Sequence, residues 1–461
     1  MGCEDLRNKI TQYVRENRDR LVEEVRRFLQ MPSISGSGLG IKETASFLQE
    51  FIKTRLGGEA TQLTYGGHPI VYGRIKGSSR RKMIIYNMYD VQPVEPLDQW
   101  ISPPFEARII EDKIIARGAY NTKGALLSAL LGVETYLRLC GEVPLDILFV
   151  LEGEEELGSP SMPKFVEDKQ GDLRGSELVY FAIPSERKIG KPSIVLGNKG
   201  IVFVELRSKT SEYDVHSSFS RGLYNPAVVL SHVISHLIDP LEGPKIPWLD
   251  EKALTPTEED LKYLDDIKEA MPFEELLEAY KIYRPRLSGD ALYIAVFFKP
   301  TVNVDGFSSG YTGPGTKTIT PAEAVARLDF RLVPGIEPED VIEGLKKIID
   351  RLGLSNLVEI RVHDAYTWSR TDPRNPYVEI SRRVYSEMGY PRVYIIPNIP
   401  GSAPGYLFTR RLGVPMISTA PGHGGRAHAP NEYITVDTVP KIVEYTARLI
   451  SSIGEKISAE K

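Results

Sequence analysis

A run of acidic residues directly after an apolar segment is the part of this sequence best suited to chemistry. The segment LEGEEELGS places Glu152, Glu154, Glu155 and Glu156 immediately after the apolar run Leu145–Leu151. Neighbouring carboxylates repel one another unless a cation or a shared proton lies between them. The run therefore indicates a metal site or an acid/base site; taken alone, it is equally typical of a solvated acidic turn.

Seven further motifs accompany the glutamates and carry a resemblance to a known family. They are YNMYDVQPVEPLDQW (86–100), PPFEARIIEDKIIARGAYNTKG (103–124), DVHSSFSRGLYNP (214–226), KTITP (317–321), RLVPG (331–335), PGSAP (400–404) and AHAPNE (427–432). In order and spacing the chain resembles the co-catalytic zinc peptidases that include carnosinase, cytosolic dipeptidases, glutamate carboxypeptidase and acetylornithine deacetylase. The D-V-Q-P and lid motifs resemble the dipeptidase branch most. The resemblance implies an α/β catalytic domain holding two zinc ions, interrupted by a lid domain that usually also forms a dimer.

Three positions that the resemblance assigns to metal ligands hold unsuitable residues. Met88 stands where the family has a zinc-binding His, although the Asp that orients that His is kept as Asp90. Asn121 replaces the Asp that bridges both metals, and the next carboxylate ligand falls at Pro184 or Ser185. A thioether is a poor ligand for zinc, and a neutral amide cannot hold two cations close together.

The remaining metal and catalytic positions are kept. By resemblance, Glu155 is the general base, while Glu156 and His428 are ligands of the first metal, with Asn121 as a weak third donor. A catalytic zinc ordinarily has three protein ligands and a water. We therefore expect no two-zinc centre and either no cofactor or one weakly bound zinc, manganese or cobalt ion. Glu186 and His423 are possible replacements for the missing ligands.

The substrate side of the resemblance is intact. The dipeptidase branch holds the peptide carboxylate and scissile carbonyl with four residues, which match His216, Thr318, Arg331 and Ser402. Individually these are also compatible with a helix-end histidine, a strand residue, a surface cation and a helix N-cap. An arginine suits bidentate carboxylate recognition, and a histidine on a closing lid can polarise a carbonyl. The expected ligand is a small peptide or an N-acyl amino acid.

The elements around these motifs predict an α/β protein with a mixed, mainly parallel sheet. Helical periodicity recurs from Leu6 to Phe28 and again over Lys123–Leu137. Strand-like segments alternate with the helices; they are Ile70–Ile75, Lys82–Met88, Leu145–Leu151, Glu177–Ile183, Arg392–Ile396 and Val414–Ser418. Functional residues are then expected just past strand ends.

The pattern of strand-like and helical segments changes near Gly200, and this change predicts an inserted domain. Strand-like 201–208, 325–333 and 357–363 alternate with helical 226–237 and 338–352, and a charged helical stretch covers 258–283. We predict a catalytic-type domain from residues 1–198 and 369–461, and an inserted α+β lid and dimerisation domain from residues 199–368. A homodimer through the lid is expected from the resemblance alone.

The composition of the chain bears on which classes of binding partner are expected. The chain has 461 residues, 41% of them hydrophobic, and a net charge of −5 at a pI near 6.0. This balance gives no basic footprint for nucleic acid or an anionic membrane. The charged N-terminus does not resemble a secretory signal, and two cysteines are too few for a disulfide framework. We expect a cytoplasmic protein without nucleic-acid or membrane partners.

Three functional hypotheses remain open from the sequence. The first is a metal-dependent peptidase or amidohydrolase that works with one metal or an unexpected ligand set. The second is a non-catalytic homologue that binds small carboxylate ligands or acts as a structural partner. The third is metal-free acid/base chemistry in the same cleft, with Glu155 as the base.

Overall fold

The structure is a computed structural model that describes residues 3–460, apart from the side chains of residues 3, 4 and 279. The helices within this range are α1 (Cys3–Glu16), α2 (Arg18–Leu29), α3 (Ile41–Glu50), α4 (Lys123–Cys140), α5 (Met162–Leu173), α6 (Pro226–Leu237), α7 (Pro247–Asp250), α8 (Glu258–Lys262), α9 (Leu264–Ala270), α10 (Phe273–Ala279), α11 (Gly289–Phe298), α12 (Pro338–Arg351), α13 (Pro376–Glu387) and α14 (Thr438–Ala459).

The strands are β1 (Glu59–Leu63), β2 (Ile70–Ile75), β3 (Lys82–Met88), β4 (Arg108–Ile110), β5 (Lys113–Ile115), β6 (Asp146–Glu152), β7 (Val179–Phe181), β8 (Ser193–Val195), β9 (Gly197–Lys209), β10 (Val215–His216), β11 (Ile238–Asp239), β12 (Gly243–Pro244), β13 (Thr301–Ser309), β14 (Ile319–Thr320), β15 (Glu323–Leu332), β16 (Glu359–Tyr366), β17 (Ser369–Arg370), β18 (Tyr394–Ile396), β19 (Ile399–Ser402), β20 (Met416–Ser418), β21 (Gly424–Gly425) and β22 (Tyr433–Thr435).

The first sheet is mixed and has eight strands in the order β1-β2-β6-β3-β7-β20-β8-β18. Its centre is parallel, because β6 pairs in parallel with β3, β3 with β7, and β7 with β20. Every residue of β6 is buried, as expected for an interior strand covered by helices on both faces. Helices α4 and α14 pack on one face and α5 on the other. The predicted α/β class with a mixed sheet is therefore confirmed.

A second sheet has the antiparallel order β13-β15-β9-β16 and does not continue the first. Two short strands from the predicted catalytic-type domain, β17 and β19, also pair with the first residues of β9. Strands β9 and β15 alternate buried and partly exposed residues, which is typical of a sheet with one covered face. Helices α6 and α12 cover that face around Leu206, Leu230 and Leu328. The division into residues 1–198 with 369–461 and residues 199–368 stays a prediction, and the separation of the two sheets supports it.

Two sequence expectations about helices were wrong in detail. The predicted first helix is divided into α1 and α2 at Asn17, whose side-chain amide and backbone N–H both donate to the Tyr13 carbonyl. The charged stretch 258–283 forms the three short helices α8, α9 and α10 instead of one. Part of it leaves the expected lid: Leu264 and Ile267 of α9 pack with Phe297 of α11 against Ile396 at the edge of the first sheet.

No helix over residues 3–460 combines the length and apolar character that crossing a bilayer would require.

Candidate functional site

The loops after β3, β6 and β7 meet at the carboxyl edge of the parallel sheet. Met88 ends β3 directly beside Glu152 at the end of β6, because the two strands are parallel and in register. The carboxylates of the glutamate run and the Asp90 side chain follow these two strand ends, and Pro184 follows β7. In open α/β sheets this edge is the usual place for a ligand. The fold thus brings the predicted metal positions to one region.

Asp90 holds the backbone of the glutamate turn. Its two carboxylate oxygens accept hydrogen bonds from the N–H groups of Glu155 (3.2 Å) and Glu156 (3.1 Å). Burial raises the Asp90 pKa to about 6 despite these bonds. In the family pattern this Asp orients a histidine at the position of Met88; here its oxygens orient Glu155 and Glu156 instead.

The Asn121 amide joins Glu156 and His428, the two residues predicted as ligands of the first metal. Its Nδ2 donates to Oε1 of Glu156 at 2.7 Å and lies 3.0 Å from Nε2 of His428. That same His428 nitrogen is 3.3 Å from Oε2 of Glu156, which also accepts a hydrogen bond from the Gln92 amide at 2.8 Å. The three side chains therefore lie in contact. Nε2 of His428 accepts from the Asn121 amide when the ring is unprotonated there, and it donates to Glu156 when it carries a proton.

His428 provides a pH-dependent test of this contact. Its hydrogen bond to Glu156 raises the pKa of the imidazole above the usual 6.5, while partial burial opposes the shift. We expect NMR titration to show an imidazole resonance, identified by its loss in His428→Gln, that titrates above 6.5, and Glu156→Gln to lower that pKa. Because the folded pKa is raised, the contact stabilises the fold fully below pH ~6.5 and is lost as pH rises through the folded value. A His428 pKa unchanged by Glu156→Gln would contradict this arrangement.

Asn87 makes hydrogen bonds around the second metal position. Its Oδ1 accepts from the Thr122 hydroxyl and the Met88 N–H, and its Nδ2 donates to the Ala182 carbonyl at 2.9 Å. Asn87 and Met88 are both buried. This amide links the ends of β3 and β7 to the start of α4. Sequence reasoning missed Asn87, although it directly precedes Met88 in the motif that carried the resemblance.

The residues considered as replacement ligands make their contacts elsewhere. The Glu186 carboxylate accepts hydrogen bonds from the Tyr390 hydroxyl (2.7 Å) and from the N–H groups of Gly190 and Gly422. The His423 ring nitrogens contact the Glu186 carbonyl (2.8 Å) and the Tyr433 hydroxyl (3.1 Å). The Ser185 hydroxyl donates to the Ala420 carbonyl at 2.7 Å. Neither Glu186 nor His423 contacts the cluster of Asn121, Glu156 and His428.

The retained base position is electrostatically unfavourable for an anion. Burial raises the pKa of Glu155 well above its usual value, and repulsion from Glu156, Glu152 and Asp90 adds to the shift. Burial also raises the pKa of Glu152 to about 8. A carboxyl group that keeps its proton cannot accept another one. Burial and the neighbouring carboxylates therefore disfavour the anionic form of Glu155, and a nearby cation would favour it.

A buried ion pair fixes the loop that carries Asn121. Arg117 and Glu432 are each about 1% exposed, and Nη1 of Arg117 lies 2.8 Å from Oε2 of Glu432. The Glu432 carboxylate also accepts hydrogen bonds from the N–H groups of Gly118, Tyr120 and Asn121. Glu432 closes the AHAPNE motif, but the sequence alone gave no partner for it.

We expect Glu432→Gln to lower the free energy of unfolding by about 3–5 kcal/mol, because Arg117 would be left buried without a counter-charge. Urea denaturation measures the change. The matched control is Glu106→Gln, which breaks the exposed pair with Arg108 and should cost at most about 1 kcal/mol. Equal effects for the two variants would refute the proposed role of Glu432.

The predicted substrate residues form two separate pairs. Nη1 of Arg331 donates to the Ser402 hydroxyl at 2.9 Å, and its Nε donates to Asp329 at 2.6 Å. His216 and Thr318 are exposed and lie on the small ribbon of β10 and β14, where the Ser217 N–H donates to the Thr318 carbonyl. No hydrogen bond or ion pair between residues 3 and 460 joins the two pairs.

A small cavity connects the glutamate turn to the arginine pair. Its volume is about 70 Å³, and its lining includes Glu155, Ser402 and the stacked rings of Tyr366 and Tyr406. The ring centroids of the two tyrosines are 5.4 Å apart. The predicted base Glu155 and Ser402, the hydrogen-bond partner of Arg331, therefore line the same cavity.

The donor set does not fit a two-zinc centre. The positions of the missing ligands hold a buried thioether, an amide engaged by Glu156 and His428, and a proline. Within residues 3–460, no three His, Cys, Asp or Glu side chains are grouped so that they could hold a metal ion. Glu156 and His428, with the Asn121 carbonyl oxygen after rotation of the amide, are the side chains nearest to a single weak site.

The sequence of this chain is similar to known peptidases over most of its length. The model of peptidase family M20/M25/M40 matches residues 84–452. The chain is 25% identical to the Cys-Gly metallodipeptidase dug1 of Schizosaccharomyces pombe, over 94% of this chain and 95% of that protein. It is 23% identical to the human Beta-Ala-His dipeptidase, over 83% and 80% of the two chains.

A solved structure extends the similarity to the fold. The M20 family metallo-carboxypeptidase Sso-CP2 from Sulfolobus solfataricus superposes with a TM-score of 0.86 at 35% identity, covering 94% of this chain and 99% of the other. These comparisons confirm the resemblance drawn from the sequence motifs. The chain belongs to peptidase family M20/M25/M40, on the side of the family that includes the dipeptidases.

Proposed function

We propose that this chain binds small peptides or N-acyl amino acids through their carboxylate, and that it hydrolyses them slowly or not at all. The observation that carries the proposal is the contact of the Asn121 amide with both Glu156 and His428. An amide in contact with both side chains would take the place of the cation that the family has there. Any activity that remains would depend on a single weakly bound metal ion.

The relatives support the class of ligand. They are named for Cys-Gly dipeptidase, Beta-Ala-His dipeptidase and metallo-carboxypeptidase activity, which all concern peptides. In this chain Arg331 is the candidate for binding the ligand carboxylate, because its guanidinium is partly exposed and held by Ser402 and Asp329. His216 and Thr318 on the exposed ribbon would cover the ligand from the other side.

A single-metal hydrolase is the second candidate. Glu156 lies 3.3 Å from His428, and the adjacent Glu155 lines the small cavity; this proximity favours retained chemistry. If such activity exists, Glu155 must lose its proton, and only a nearby positive charge would allow this at neutral pH.

Calorimetry of the metal-stripped chain separates carboxylate binding from metal chemistry. We expect N-acetylalanine to bind without added metal, and N-acetylalaninamide, which lacks the carboxylate, to bind much more weakly. Equal binding of both compounds, or binding of neither, would overturn the proposal. Rapid hydrolysis of dipeptides on addition of Zn²⁺, Mn²⁺ or Co²⁺, abolished by Glu155→Gln, would establish the single-metal hydrolase instead.

We also propose that the chain forms a homodimer through the predicted lid. Strand β13 is at the edge of the second sheet and has unpaired backbone groups on one side. Phe307 of β13 and Val228 of α6 are exposed there (43% and 64%). We expect sedimentation velocity at micromolar concentration to give a dimer mass; a monomer would contradict this proposal.

A further inference from the structure

We propose that a pocket beside Arg331 selects ligands whose carboxyl-terminal residue has an acidic side chain. This inference rests on the proposed function, because it assumes that Arg331 binds the main carboxylate of the ligand. The pocket has a volume of about 600 Å³ and is bounded by the start of β13, the end of β15 and strand β19 at Pro400 and Gly401.

Lys199 is the residue that points to an anion. It lies on β9 beside Ser402, is 1% exposed as a whole residue, and contributes to the lining of the pocket. The only hydrogen bond of its ammonium group to a described residue goes to the Lys299 carbonyl. Burial lowers its pKa to about 7, the charge of Arg331 adds to the shift, and no carboxylate opposes it. A buried ammonium group is costly unless an anion pairs with it.

The charge of the pocket wall also favours an anion. Four cationic side chains, Lys199, Arg286, Lys299 and Arg331, share the lining with the two acidic side chains Asp250 and Asp329. Asp329 is already paired with Arg331 at 2.6 Å, so it does not neutralise Lys199. Leu292 and Val296 add apolar surface that can pack against methylene groups.

The position of the pocket connects it to the cleft. Arg331 lines the pocket, whereas its partner Ser402 lines the small cavity that also contains Glu155. A carboxylate bound at the pair of Arg331 and Ser402 would thus have the pocket on one side and Glu155 on the other. The side chain of a carboxyl-terminal residue fits the pocket side, where Asp or Glu would meet Lys199.

The test compares N-acetylglutamate with N-acetylglutamine, which is nearly isosteric and neutral in its side chain. We expect calorimetry to show about tenfold or greater preference of the unaltered full chain for the glutamate compound, since a charge-assisted bond replaces a neutral one. Lys199→Met should abolish that preference. Lys123→Met is the matched control, because Lys123 is also buried, donates to the Met31 carbonyl, and lies away from the pocket.

The outcomes separate this inference from the proposed function. If both compounds bind the unaltered chain equally, the acidic specificity is wrong while carboxylate binding stands. If neither compound binds, the proposed function itself fails. A preference that survives in a folded Lys199→Met variant would overturn the assignment of Lys199. If that variant does not fold, the comparison in the unaltered chain and in Lys199→Arg, which should keep the preference, still decides.

Discussion

Zinc affinity should rise by several orders of magnitude when Met88→His, Asn121→Asp and Pro184→Asp are introduced together. The three changes restore an imidazole and two carboxylates at the positions where the family pattern has ligands. Position 184 is preferred to 185 because the Ser185 hydroxyl is engaged by the Ala420 carbonyl. Even the loss of an outer partner of a metal ligand typically costs about 10–100-fold in affinity, so three direct ligands should have a larger effect. Competition with a fluorescent zinc chelator measures the change.

The control for this restoration places side chains that cannot bind zinc at two of the same positions. Met88→Leu with Asn121→Ala should leave zinc affinity as weak as in the unaltered chain. We expect peptidase activity to appear in the restored variant and to disappear again with Glu155→Gln. An unaltered chain that binds two zinc ions as tightly as the restored variant would show that other residues are the ligands.

Arg331→Ala should weaken binding of N-acetylalanine by about 1.5–3 kcal/mol, the usual contribution of hydrogen bonds to a charged group, because Arg331 is only partly buried. The loss removes the guanidinium and also leaves Asp329 without its partner, so the site becomes negative toward an incoming carboxylate. Calorimetry of the metal-stripped protein gives the change directly.

Arg327→Ala is the matched control, because Arg327 lies on the same strand and its pair with Glu205 is at the surface. We expect it to bind the ligand as the unaltered chain does. Arg331→Lys should recover part of the affinity, since it keeps the charge but loses the two directed hydrogen bonds to Ser402 and Asp329. If Arg331→Ala binds as well as Arg327→Ala, Arg331 is not the carboxylate-binding residue.

Elements with strong periodicity could be predicted from the sequence. Strands β2 and β3 and helix α6 begin and end at the predicted residues, because alternating or helical apolar spacing and nearby Pro or Gly residues set their limits. The order of the motifs associated Asn121, Glu156 and His428, and these side chains lie in contact in the structure. These three residues come from distant parts of the chain, so the resemblance was needed to associate them.

Contacts between residues that are far apart in the chain could not be predicted from the sequence. The Glu432 carboxylate pairs with Arg117 and three backbone N–H groups more than 300 positions away. Asn87 and Lys199 look ordinary in their strands, and only their buried positions reveal their contacts. Likewise, the apolar residues of α9 gave a helical pattern without indicating that they pack on the first sheet.

The zinc content of the purified full chain after dialysis against a mild chelator tests the central claim most directly. The contacts among Asn121, Glu156 and His428, together with the thioether of Met88, predict at most one equivalent of weakly held zinc, which further dialysis removes. Two equivalents of zinc retained per chain would contradict this account.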